Sequence, residues 1–327
     1  VFFVFKDEVL EQDFLLKRQL GIIQDYEPQN LLSKVNEKKE KTEQILRINQ
    51  SLAKHILNFA RKPELDELPR YFRQQLEKSG ISYRRIFSTA SQVITEIELK
   101  AAVNLKKEQL LLFFSLYLFS TKPKYRSLSS GLQKDVKLHF GSMKDLEEKA
   151  KNLLYSLGNS ALLSSDSHQA EKDSLGFFDT DKFVFSAKNQ NKIPLRLRGL
   201  LAIAERLSGK IDGADLIKIH IESKKVSYLN VDGFNNSALP RILSRTIVDF
   251  RENKILTFDH TKDGKVKTVY LKSKLMNQED QNYKIQKEFD DLIVNSLDFD
   301  FSGEGPRFDE FAKSLFKNKI VPPSYKK

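Results

Sequence analysis

Apolar positions recur at three- and four-residue steps through most of the first 160 residues, the spacing that puts them on one face of a helix. Val9, Leu10, Phe14 and Leu20 predict a short helix over 6–20, broken at Gly21 and Pro28. Leu31, Leu32, Val35, Ile45, Ile48, Leu52, Ile56 and Phe59 predict a long one over about 29–59. Its middle, Asn36–Glu43, is almost wholly polar, as in a helix that projects or takes a partner helix. Further helices are expected over 71–78, ended by Gly80, and as one or two segments over 81–100. Leu110–Phe119, nearly all apolar, reads as a central core helix. Another helix runs from Ser142 to Leu157, with Ser142 and Asp145 spaced as a capping box.

The rhythm changes after residue 160. The polar run through Ser164–His168 predicts a linker or exposed loop over 161–178. Beyond it, Phe183–Phe185 reads as a strand and 194–208 as a helix opened by Pro194. The segments 216–221 and 226–231 form a hairpin pattern, the first alternating around Lys218 and His220. A helix is expected over Ala238–Arg251, then a second hairpin, 255–260 with 266–271, turning at Asp263–Gly264. Helices near 281–296 and up to Phe316 close the chain. The expected fold is α+β: an all-α helical domain over 1–160, then a small antiparallel-sheet domain covered by helices over 179–327. The two αββ stretches are a candidate duplication.

Val1–Phe5 is apolar and the chain opens without Met, which reads as a fragment or processed product; the run is either a buried strand or the cut end of a longer apolar segment. No stretch approaches the ~18–20 apolar residues of a membrane span. The chain of 327 residues carries no Cys, so disulfides, thiolate metal sites and cysteine nucleophiles are excluded. Its five His are scattered without metal-ligand spacing. No phosphate loop, dinucleotide fingerprint, nucleophile elbow or kinase motif occurs, and no cofactor or metal is expected. Asp212–Gly213, Asp232–Gly233 and Asp263–Gly264 suit turns better than metal ligation. The compartment is not fixed by these features, though they lean towards the cytoplasm.

Charge is the more informative signal. The net charge is +11, which favours acidic partners such as nucleic acid. The surplus is local: residues 192–274 hold 17 Lys and Arg against 9 Asp and Glu, whereas 279–310 hold 3 against 10. Arg196, Arg198, Arg206, Lys224, Lys225, Arg241, Arg245, Lys265 and Lys267, with Tyr228 and Tyr270, are the candidate basic and aromatic face for phosphates and bases. The acidic stretch is a candidate cover for it. The leading expectation is a non-catalytic scaffold that docks a protein partner. Nucleic-acid binding through 192–274 is the alternative, and an enzyme with a dispersed acidic site a third.

Overall fold

In a computed structural model, the described residues are Gln12, 28–118, 123–262, 267–303 and 305–325, with only the backbone described for 28–41. The expected strand at 1–5, all but Gln12 of the helix over 6–20 and the turn at 263–266 lie outside them. The chain divides into two compact units, 1–107 and 108–327. The division falls inside a continuous helix, not at 161–178.

Among its described residues the first unit is helical. Helix α1 (Pro28–Phe59) supplies Ile48, Leu52 and Ile56, one turn apart on one stripe. They pack against Leu68, against Phe72 and Leu76 of α2 (Arg70–Ser79), and against Ile86 and Ala90 of α3 (Tyr83–Gln92). Gly80 ends α2 at φ +68°, a left-handed conformation that glycine adopts without steric penalty. The 81–100 region resolves into α3 and the start of α4 (Glu96–Tyr117). Among the described residues, no helix is long and apolar enough to cross a membrane.

The second unit is α+β. Helices α5 (Ser130–Phe140), α6 (Met143–Ser156) and α7 (Ser160–Lys172) precede a seven-stranded antiparallel sheet. Ser142 caps α6, accepting from the Asp145 N–H at 3.1 Å and donating to its carboxylate at 2.7 Å. The expected linker is thus mostly α7. Within its polar run Ser165 and His168 are exposed, while Leu163, Ser167 and Ala170 are buried at three- and four-residue steps. The Ser167 hydroxyl is satisfied by the Leu163 carbonyl.

The strands are β1 (Phe177–Asp179), β2 (Lys182–Ser186), β3 (Leu216–His220), β4 (Lys225–Asp232), β5 (Arg241–Asp249), β6 (Lys254–Asp259) and β7 (Lys267–Thr268). The first six lie in chain order, and β7 pairs with β5 beyond the end of β6. The first hairpin, β3 with β4, forms as expected. The helix expected over Ala238–Arg251 does not form. Pro240 precedes a strand, and Ile242, Thr246, Ile247 and Val248 favour the pleated backbone. Pairing along both edges, with β4 and β6, outweighs the local helical pattern. The second hairpin is likewise absent, because β6 and β7 both pair with β5 instead of with each other. Without the 238–251 helix, the two αββ stretches are not equivalent.

One face of the sheet carries Phe183, Phe185, Ile217, Ile219, Val226 and Tyr228. Against it pack Leu197, Leu201 and Ala204 of α8 (Leu195–Ser208), with Leu163 of α7. Gly199 admits this approach: a Cβ there would sit 2.9 Å from Leu157 Cδ2. The opposite face presents Val184, Leu216, Leu229 and Val231, covered in part by Phe234, Val269 and Leu275. Beyond them, α9 (Tyr283–Ser296) and α10 (Phe308–Lys317) form a core of Phe289, Ile293, Phe311 and Leu315.

Candidate functional site

Strand alternation decides which charges meet. Adjacent residues on a strand point to opposite faces, and cross-strand partners share a face. Lys182 pairs with His220, which pairs with Lys225. In the next row Val184 pairs with Lys218, and Lys218 with Ser227. In the next, Leu216 pairs with Leu229, and Leu229 with Arg245. Lys182, Lys218, His220, Ser227 and Arg245 therefore stand on the face away from α8. The apolar neighbours in these rows are the residues that close the second core layer.

At the centre is a short polar relay. The Arg245 guanidinium donates to Ser227 Oγ, with Nε at 3.3 Å and the terminal nitrogen at 3.2 Å. Ser227 Oγ lies 3.1 Å from His220 Nε2. Burial, then the charges of Arg245, Lys218, Lys182 and Lys225, push the His220 imidazole down to about 4. It is neutral at pH 7, and the Arg245 terminal nitrogen also lies 3.4 Å from Nε2; in the tautomer protonated at Nδ1, Nε2 accepts from the serine hydroxyl while the serine oxygen accepts from arginine. Burial is the larger cause, and the four surrounding cations act in the same direction, against a proton on the imidazole.

This face forms the floor of a cavity of about 760 Å³. Aromatic walls rise from both sides, with Phe177 on one and Tyr270, Phe299 and Phe301 on the other. Tyr270 meets Phe301 edge-on at 5.7 Å and Phe311 at 4.9 Å. Its hydroxyl donates to the Pro306 carbonyl at 3.0 Å. Gly305, at φ +71°, lies against the same ring, and a Cβ there would stand 2.5 Å from Tyr270 Cδ2. Lys274 lies over the Phe177 ring at 5.4 Å, and Lys267 and Arg307 add positive charge at the rim. Part of the acidic stretch, including Asp300 and Asp309, lines the cavity as well. Asp179 there accepts the Gly303 N–H at 3.1 Å, tying that segment to β1.

Of the residues expected from sequence, Arg245, Lys267 and Tyr270 line this cavity. Arg196 and Arg198 do not: they lie on α8, across the sheet, paired with Asp166 and Glu108. Tyr228 is buried on that same face, where burial pushes its hydroxyl up. Lys224 holds the β3–β4 turn and donates to Ser160 at 2.9 Å. Lys225 is ion-paired with Asp249 at 2.8 Å, and Arg206 and Arg241 are exposed away from the cavity. Lys265 lies outside the described residues. Lys182, Lys218, Phe177, Phe299 and Phe301 line the cavity too and were missed, as were His220 and Ser227, which touch Arg245 without lining it. The signal for Lys218 and His220 was present in the β3 alternation, since two polar residues two apart on a buried strand must share its less apolar face.

The chain matches no protein-family model, and neither a curated protein nor a solved structure shows significant similarity to it.

Proposed function

We propose that residues 108–327 form a non-catalytic binding module that holds a single-stranded nucleic-acid segment on the open face of its sheet. The observation that carries this reading is the convergence of Arg245, Lys218 and Lys182 beneath aromatic walls. Phosphate oxygens would accept from the Arg245 guanidinium, in exchange for its present partners, and from the lysine ammonium groups. Bases would lie against Tyr270, Phe299 or Phe177, where stacking contributes roughly 1–3 kcal/mol per base. A cavity of about 760 Å³ falls in the usual range for binding pockets. It has room for unpaired, splayed nucleotides and none for a duplex, whose bases are stacked inward.

The test is fluorescence anisotropy of the full chain with random single-stranded and duplex oligonucleotides over a salt series. Single strands are expected to bind more tightly, with log affinity falling linearly against log salt concentration. Equal affinity for duplex, or no binding at low salt, would overturn the reading. The broader expectation of a protein-docking scaffold draws support from a different surface, strand β6.

A further inference from the structure

The two ends of the sheet are finished differently. Edge strands expose backbone donors and acceptors that template pairing with another strand, and proteins ordinarily guard them. At one end, β1 has only three residues. The Glu171 carboxylate of α7 accepts the Phe178 N–H there at 3.1 Å. At the other end, β6 has six residues, all exposed. Between its terminal charges, Lys254 and Asp259, it carries no Pro, Gly or charged residue. Ile255, Leu256 and Phe258 are 48%, 44% and 44% exposed. Among the described residues β6 pairs with β5 alone.

We propose that β6 pairs antiparallel with β6 of a second copy, about a two-fold axis perpendicular to the sheet at Thr257. Such an axis keeps each face on its own side, so opposed residues must be an even number apart in sequence, or identical. Centring on Thr257 sets the two threonines opposite each other. It also sets Leu256 opposite Phe258 of the second copy, twice, as a four-residue apolar cluster on the cavity-side face. Ile255 meets Asp259 on the other face and Lys254 meets His260, and no like-charged carboxylates or ammonium groups are opposed. Centring on Leu256 instead would set Lys254 against Phe258 and break that cluster. A second copy is the occupant that this self-matching sequence fits. The pairing would join two sheets with both basic faces on one side, since Phe258 is the cross-strand partner of Arg245. A six-residue pairing is smaller than a standard interface, so association is weak and concentration-dependent.

Sedimentation equilibrium of the full chain across a micromolar series tests this, together with site-directed crosslinking in a chain that has no native cysteine. The wild type is expected to dimerise with rising concentration, and Phe258→Lys and Leu256→Lys, both at exposed positions, to remain folded monomers by circular dichroism. Thr257→Cys should form an interchain disulfide under mild oxidation. Lys254→Cys should not, because its two copies would lie about 20 Å apart along the strands. A monomer at every concentration would overturn the proposal, as would a dimer indifferent to both lysine variants. Equal crosslinking at 254 and 257 would also overturn it. None of these readouts involves nucleic acid, so they stand or fall separately from the cavity's ligand.

Discussion

His220 does not line the cavity itself but is joined to it through Ser227 and Arg245, so charge at the floor reaches its protonation. In the free protein its imidazole titrates at about 4, against an ordinary 6.5, because burial and the surrounding cations disfavour the charged form. The unfolded chain binds that proton first, so His220 costs stability as pH falls from 6.5 towards 4. A phosphate bound at Arg245, as proposed, would offset the surrounding positive charge and raise the imidazole pKa. Binding then takes up a proton, and oligonucleotide affinity is expected to rise as pH falls from 7 to 5. His220→Gln should flatten this rise, and a wild-type affinity that stays level or weakens over that range would count against an anion next to His220.

Lys272 offers a test unrelated to any ligand. It is 1% exposed, donates to the Ser237 carbonyl and to Tyr325, and packs on the Tyr325 ring at 4.3 Å. Burial pulls it down to about 8. The unfolded chain holds this proton up to 10.5, so Lys272 adds stability as pH rises from 8 towards 10.5. Denaturant unfolding of wild type and Lys272→Met should show that rise in the wild type minus variant difference, and a flat difference would refute it. Gly305→Ala is expected to cost ~1–3 kcal/mol, since a side chain at that positive φ also meets the Tyr270 ring. It should weaken ligand binding by displacing that wall.

Elements were legible where local pattern and tertiary partner agreed. Helix α8, strand β2 and the β3–β4 hairpin follow from periodicity, because each buries the face its own sequence marks as apolar. Strand β5 was not legible. Ser237 and Pro240 look like a helix start, and only pairing on both edges selects the strand. Helix α7 was hidden by a serine-rich run that reads as loop until Leu163 and Ala170 are seen to be buried. The site was half legible for a related reason. Density of Lys and Arg along the chain finds Arg245 but also Arg196 and Arg198, which the sheet places on its other side. At this scale, Gly199→Ala should destabilise by about 1–3 kcal/mol through collision with Leu157. Adding Leu157→Ala should restore part of that loss; strict additivity by chemical denaturation would mean the two side chains do not compete for the same space.

Across the molecule, a net charge of +11 resolves into a basic sheet region and an acidic segment that lines the same cavity. Net charge alone would give diffuse, sequence-independent attraction, spread over 55 Lys and Arg. A localised site makes a sharper demand: removing one cation at the floor should matter far more than removing one elsewhere. The direct comparison is single-strand affinity over a salt series for wild type, Arg245→Ala and Arg206→Ala, the last an exposed arginine on α8. Arg245→Ala is expected to lower affinity on the order of tenfold or more and to make the log–log salt slope shallower by ~0.7, one phosphate contact on single-stranded nucleic acid. Arg206→Ala should leave both nearly unchanged. Equal, small losses from the two substitutions would mean that bulk charge, and not the cavity, accounts for the binding.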